Sequence, residues 1–226
     1  RFNAWGGNVD GLYANYHDDD KLSSVFCRRY KIPDYYLPSF VLEGGSIAVD
    51  GEGTCIVTEA CLLSKGRNPT LSKEEIEETL KSYLGVTKVI WIPHGIVEDE
   101  TNEHIDNMVA FVRPGVLALA WCQDENDLQA EYSKRAFQIL SQEKDAAGRS
   151  FEIIKLDVPN PVLRETPEEA KGIKKGGYDA KPRPAEARLA ASYVNFYQGE
   201  KFVIMPGFGV KEDALAKEKL QKAFPE

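Results

Sequence analysis

The apolar and polar residues of this chain follow each other in blocks that predict strands and helices in a repeating order. The clearest predicted helix covers residues 72–84, where apolar residues recur at helical spacing. Ser72 and Glu75 form the capping-box pattern at its start, and Gly85 follows its last residue. Local pattern alone therefore predicts where this helix begins and ends.

Period-two alternation and β-branched runs predict strands along the rest of the chain. These predicted strands cover residues 40–42, 46–49, 54–58, 86–92, 108–112, 116–121, 151–156, 188–196 and 201–205. Further helices are predicted over residues 22–30, 127–142 and 212–224, with a solvated turn at 17–21 before the first of them. Strand, strand, helix, strand is the recurring order, which predicts an α/β fold.

Residues 157–187 break this pattern, because prolines and glycines are concentrated there. A long segment without periodicity inside a domain is typical of a functional or irregular loop. We therefore predict an irregular loop or a lid over a site at 157–187, within one domain that covers residues 1–226.

Composition narrows the class of protein. With 226 residues and 42% hydrophobic content the chain can bury one sizeable core. The formal net charge of -8 argues against a nucleic-acid partner, and the apolar runs are too short to cross a membrane. The four cysteines show no C-x-x-C spacing and no paired histidines, so zinc is unsupported and reduced thiols in an intracellular protein are expected.

Candidate chemistry is concentrated in residues 98–115, where His104 and Asp106 precede an apolar run. The pair lies at the mouth of this predicted strand, where residues i and i+2 share one face, so we expect the two side chains to project together. Such a pair sets a proton carrier beside a fixed negative charge, which suits a cationic substrate and general acid/base chemistry. A solvated loop histidine beside a turn aspartate is the alternative.

Five segments together carry a family resemblance. They are RFNAWGGNVDGLY at 1–13, FVLEGGSIAVDGEGT at 40–54, TEACLLSKGRNP at 58–69, DETNEHIDN at 99–107 and RLAASYVNFY at 188–197. In this order and at these spacings they resemble the agmatine deiminases, guanidine-modifying enzymes of the peptidyl-arginine deiminase-like pentein superfamily. The resemblance covers essentially the whole chain.

The resemblance implies a five-bladed α/β propeller of ββαβ units, of which this chain covers about three blades. It also implies a cytoplasmic hydrolase that converts agmatine to N-carbamoylputrescine and ammonia in putrescine and polyamine biosynthesis. No metal and no organic cofactor are implied. A homo-oligomer or another assembly partner is compatible with this family.

The resemblance implies, by matching motifs, that His104 is the proton carrier of the reaction and that Asp106 and Glu43 bind the guanidinium group. Each also has a purely structural alternative, such as a carboxylate bonded to backbone amides. The family's cysteine nucleophile stands in a segment resembling GGGNIHC, and a second carboxylate stands in one resembling W-x-R-D-x-G-P. Neither segment occurs here. We therefore expect an internal fragment that is inactive by itself.

Three positions depart from the family pattern. Ala48 stands where histidine is usual, Glu103 where glycine is usual, and Val210 where aspartate is usual. We expect Glu103 either to strain a left-handed backbone or to add a carboxylate beside His104. These departures keep open a noncatalytic pentein subunit or binding module in a larger assembly. A pentein that acts on arginine or protein arginine is a weaker alternative.

Overall fold

The structure is a computed structural model that describes residues 1–34, 36–172 and 184–224. Its helices are α1 Gly7–Asp10, α2 His17–Tyr30, α3 Glu59–Leu62, α4 Lys73–Leu84, α5 Leu128–Gln142, α6 Pro167–Gly172 and α7 Glu212–Ala223. Its strands are β1 Ala48–Val49, β2 Thr54–Thr58, β3 Lys88–Ile92, β4 Val109–Arg113, β5 Val116–Trp121, β6 Glu152–Asp157, β7 Tyr197–Gln198 and β8 Val203–Ile204. Two short 3₁₀ helices cover Gly44–Ser46 and Ile105–Asn107.

The strands form small sheets that repeat one topology. In the first sheet β1 is antiparallel to β2, and β2 is parallel to β3, with α4 as the crossover helix. The second sheet repeats this arrangement with β4, β5 and β6, and α5 makes its crossover. β7 and β8 form a third, antiparallel pair that α7 follows. The predicted α/β fold is confirmed, and two ββαβ units are complete.

The helix α4 shows how local sequence determines an element. The Ser72 hydroxyl accepts a hydrogen bond from the Glu75 amide at 3.2 Å, and the Glu75 carboxylate accepts one from the Ser72 amide at 2.7 Å. Ile76 and Leu80 are buried against the first sheet, and Gly85 ends the helix at φ 69°. The capping box is therefore present as the sequence predicts.

The larger hydrophobic core lies around the second sheet. Its strand β5 is buried at every position except Trp121, as expected for a strand covered on both faces. Leu117, Leu119 and Met108 are fully enclosed, and each such side chain stabilises the fold by about 1.5–3 kcal/mol relative to its exposed state. A smaller core joins β2 to α4. No helix of the described ranges is long and apolar enough to span a membrane.

Several predicted elements were wrong, beginning with two in the first 42 residues. Residues 17–21 are not a turn but the first turn of α2, where Asp18, Asp19 and Asp20 complement the helix dipole. His17 is exposed, as predicted. Residues 40–42 form no strand, although Phe40 and Val41 are buried, because the Asn68 side chain takes the place of a neighbouring strand. Its Oδ1 accepts from the Val41 amide at 3.0 Å, and its Nδ2 donates to the Val41 carbonyl at 3.2 Å.

Residues 188–196 also differ from the prediction, because only Arg188 forms a β-bridge there. Local bonds replace the ladder, such as that from the Phe196 amide to the Val194 carbonyl at 2.9 Å. In the predicted irregular segment 157–187, α6 is a short helix, and residues 173–183 lie outside the described part of the chain. The lid therefore stays a prediction.

Candidate active site

Glu43 is held at the entrance to the first 3₁₀ helix. Its backbone is extended, and its carbonyl accepts hydrogen bonds from the Ser46 hydroxyl at 2.6 Å and the Ser46 amide at 3.1 Å. Next to it, Gly45 approaches the second 3₁₀ helix so closely that a β-carbon there would overlap His104 Nδ1 and Asp106 Oδ2. The EGG sequence thus allows a carboxylate and the His-x-Asp segment to share one small volume.

His104 and Asp106 do not lie on a strand. His104 is the residue before the 3₁₀ helix, and Asp106 lies inside it, so the predicted strand alternation was wrong for this pair. Both side chains nevertheless lie against Gly45. His104 Nε2 is 3.6 Å from Glu43 Oε2, and the two side chains are only 6% and 5% exposed. The structure therefore brings together all three residues predicted for the site.

Arg67 fixes the other oxygen of Glu43. Its Nε donates to Glu43 Oε1 at 2.9 Å, while its terminal nitrogens donate to the Trp5 and Thr101 carbonyls and to the Asn102 side chain. The Arg67 side chain is fully buried, so all of this recognition takes place away from water. Glu43 is thereby oriented with Oε2 towards His104.

Three polar atoms at this point have no hydrogen-bond partner among the described residues. They are Glu43 Oε2, His104 Nε2 and Asp106 Oδ1. Leaving a buried polar atom unpaired costs about 1–3 kcal/mol, and such atoms are often reserved for a ligand. The arrangement can therefore accept several N–H donors from one bound group.

Burial raises the pKa of Asp106 from its ordinary value of 3.8 to about 6. Positive charge on His104 works against this increase, and the neighbouring Asp99 carboxylate adds to it. The Asp106 carboxylate is thus ionised at neutral pH but at an energetic cost. A bound cation would offset that cost.

These residues open into a cavity of about 830 Å³. Glu43, His104 and Asp106 lie in its wall, together with Asp19 and Asp20 from α2. Apolar side chains form another part of the wall, namely Phe2, Trp5, Leu22, Phe26 and Leu42. The cavity is large enough for a small molecule and combines carboxylates with an aromatic surface.

The model of the Porphyromonas-type peptidyl-arginine deiminase family matches residues 1–226. The chain belongs to this family. It is 53% identical over 224 residues to a Listeria monocytogenes protein whose name places it among the agmatine deiminases, covering 99% of this chain and 61% of that protein. The chain thus spans about three-fifths of the length of the curated relatives it matches.

Solved structures agree with this family assignment. The agmatine deiminase of Enterococcus faecalis is 41% identical with a TM-score of 0.90, covering 99% of this chain and 60% of its own. A C. jejuni agmatine deiminase with substrate bound is 29% identical with a TM-score of 0.73, covering 100% of this chain and 59% of its own. The deiminase fold of these structures is the fold of this chain.

Sequence reasoning missed several residues that support the site. Arg67 lies in the segment GRNP that carried the resemblance, but nothing local indicated that it binds Glu43. Asp99 accepts from Thr101 and from Asn107, and Asn107 in turn accepts from Asn195 at 3.1 Å. These bonds hold the end of the second 3₁₀ helix to a segment almost ninety residues away.

The three departures from the deiminase pattern lie outside the described lining of the cavity. Glu103 has φ 60°, so a left-handed backbone is indeed required there. Its carboxylate turns away to accept from the Gly95 amide at 2.9 Å and to contact His94 Nδ1 at 3.0 Å. The Glu103 carboxylate therefore does not lie beside His104 as an extra charge, because it is bonded to Gly95 and His94. Ala48 packs on the larger core, and Val210 precedes α7.

Cys61 is a further residue that spacing along the chain did not indicate. It lies in α3, and its Sγ is within 4.8 Å of both Glu43 and His104 ligand atoms. All three side chains are buried. Within the described ranges these are the residues with the arrangement to hold a metal ion.

Proposed function

We propose that this chain is part of an agmatine deiminase, which hydrolyses agmatine to N-carbamoylputrescine and ammonia. One observation carries the proposal: the unpartnered oxygens of Glu43 and Asp106 converge with His104 at the wall of one cavity. A guanidinium group is a planar cation with five N–H donors, and paired carboxylates match it in charge and geometry. Glu43, held by Arg67, is pre-oriented for this task.

Agmatine carries a second cationic group at the far end of an apolar stem, and the cavity fits that pattern. Asp19 and Asp20 line the cavity along with the guanidinium carboxylates and supply negative charge for an ammonium group. The rings of Phe2, Trp5 and Phe26 offer apolar surface for the methylene stem. This distribution supports agmatine over a substrate whose far end is an α-carboxylate, such as free arginine.

Hydrolysis at the guanidinium carbon requires a nucleophile and a proton carrier. In the proposed reaction a cysteine thiolate attacks the central carbon, the C–N bond breaks, and His104 protonates the departing ammonia. Water then attacks the same carbon with His104 as base, and the C–S bond breaks. The cysteine would come from a segment resembling GGGNIHC, which the 226 residues do not contain.

The remaining features of the proposal follow from the same family. The two complete ββαβ units and the β7–β8 pair would be part of a five-bladed pentein propeller. We place the reaction in putrescine and polyamine biosynthesis in the cytoplasm, which agrees with four cysteines that are free in the structure. An oligomeric or assembly partner stays a prediction.

The test follows the His104 ring by NMR while agmatine is added to the chain. We expect agmatine to shift the His104 resonances and putrescine, which lacks the guanidinium group, to leave them unchanged. Asp106→Ala should weaken the response. In the longer protein, His104→Ala should abolish ammonia release while agmatine binding largely survives. Equal responses to agmatine and putrescine, or ammonia release by the His104→Ala protein, would contradict the assigned roles.

A further inference from the structure

Two residues of the cavity wall, Glu43 and His104, also form a buried cluster with Cys61. Glu43, Cys61 and His104 each offer one ligand atom, and these three atoms lie within 4.8 Å of one another. Glu43 Oε2 and His104 Nε2 have no hydrogen-bond partner in the described ranges, although both side chains are more than nine-tenths buried. A carboxylate, a thiol and an imidazole that converge in this way form the ligand set of a soft or borderline divalent cation.

The Thr58 hydroxyl group helps to position both Cys61 and His104. Thr58 Oγ1 accepts a hydrogen bond from the Cys61 amide at 3.3 Å and thus caps α3. The same hydroxyl donates to the Glu103 carbonyl at 2.8 Å, immediately before His104. Arg67 orients Glu43 from behind through Oε1. Thr58 and Arg67 therefore position the three residues through other atoms and leave the ligand atoms free to bind a metal, as the outer shell of a metal site does.

We propose that Glu43, Cys61 and His104 form a Zn²⁺ site whose occupation excludes the guanidinium group from the cavity. Tetrahedral zinc with bonds of about 2.0–2.3 Å keeps its ligand atoms about 3.3–3.8 Å apart. His104 Nε2 and Glu43 Oε2, at 3.6 Å, already meet this requirement. Cys61 Sγ, within 4.8 Å, needs to move by about 1 Å at most.

The charges of the site balance only when the thiol ionises. One carboxylate and one thiolate neutralise the two positive charges of Zn²⁺, and the imidazole binds as a neutral ligand. Burial raises the pKa of Cys61 to about 12, so zinc must displace the thiol proton, which leaves to solvent. Zinc overcomes this cost because it binds thiolate strongly, whereas Mg²⁺ and Ca²⁺ prefer oxygen ligands and do not.

The exclusion of guanidinium rests on the proposed function, whereas the metal site does not. Zn²⁺ would use Glu43 Oε2, which is assigned to the guanidinium group, and His104, which is assigned as the proton carrier. The two ligands therefore cannot be bound at once, and zinc acts as a competitive inhibitor.

Co²⁺ is the probe, because it replaces Zn²⁺ and gives a thiolate charge-transfer absorption band. We expect a single equivalent of Co²⁺ to produce this band in the chain, Zn²⁺ to remove it, and Mg²⁺ to have no effect. Cys61→Ala should abolish the band and raise the Kd for Zn²⁺ by about 100-fold or more, since one protein ligand is lost. Cys61→Ser, which is closer in shape, should do the same, with circular dichroism to show that each variant is folded.

Cys55→Ala is the matched control. Cys55 is as buried as Cys61 and its pKa is also raised to about 12, but it is not part of the cluster. This variant should keep the band. No thiolate band, or a band that survives in folded Cys61→Ser, would overturn the metal site. Agmatine should raise the Kd for Co²⁺; a Cys61-dependent band that agmatine leaves unchanged supports the metal site and counts against the substrate assignment.

Discussion

Replacing Asp106 by asparagine should make the protein more stable at neutral pH while it weakens binding of a cation. Burial raises the pKa of Asp106 from 3.8 to about 6, so at pH 7 the folded protein holds an unfavourable charge. Such a difference corresponds to roughly 3 kcal/mol. Because the carboxylate retains some contact with water, we expect Asp106→Asn to raise the free energy of unfolding by about 1–3 kcal/mol.

The pH dependence of this gain has a definite sign. Between 3.8 and about 6 the Asp106 carboxyl is more protonated in the folded chain than in the unfolded chain. Its contribution to stability therefore falls as pH rises through that window. The advantage of Asp106→Asn should be near zero below about pH 4 and complete above about pH 7, because asparagine does not titrate.

Urea unfolding followed by tryptophan fluorescence at about pH 4 and about pH 8 measures this difference. Asp99→Asn is the matched control, since Asp99 already accepts hydrogen bonds from Thr101 and Asn107. That neighbouring substitution should destabilise the protein at about pH 8. The reasoning is refuted if Asp106→Asn lowers the free energy of unfolding at about pH 8, or if its effect is the same at both pH values.

Four further substitutions test the packing around the site and the cap of α4. Gly45→Ala should cost about 1–3 kcal/mol in urea unfolding because its β-carbon overlaps His104, whereas Gly44→Ala, with open space around it, should change little. Arg67→Lys keeps the charge but loses the fork of donors, so it should cost about 2–4 kcal/mol and reduce calorimetric affinity for agmatine. Ser72→Ala should lower the melting temperature slightly, through loss of about 1 kcal/mol of helix capping.

Elements determined by nearby residues could be predicted from the sequence. The capping box of Ser72 and Glu75 defines the start of α4, and the continuous apolar run at residues 116–121 predicts β5 with its observed bounds. Residues 50–53 also join β1 to β2 as an antiparallel hairpin, close to where the sequence predicts two successive strands. In each case the interactions that decide the structure lie within a few residues, so the pattern contains the information.

Elements determined by distant side chains could not be predicted in this way. Residues 40–42 have the apolar pattern of a strand, but their backbone pairs with the Asn68 side chain. His104 and Asp106 match strand alternation, but a 3₁₀ turn places them together against Gly45. The position of Cys61 beside the site likewise depends on how α3 packs. The spacing of the cysteines along the chain does not indicate this packing.

The five segments that carried the family resemblance are one site in space, and Arg67 explains why. Arg67 belongs to the third segment and binds Glu43 of the second, the Trp5 carbonyl of the first, and Thr101 and Asn102 of the fourth. The fifth segment joins through the bond between the Asn195 and Asn107 side chains. A buried guanidinium must have its donors satisfied, so a change in any of these partners leaves part of a charge unpaired. Four of the segments therefore meet at one buried cation, which holds Glu43 in place for the guanidinium group that we propose it binds.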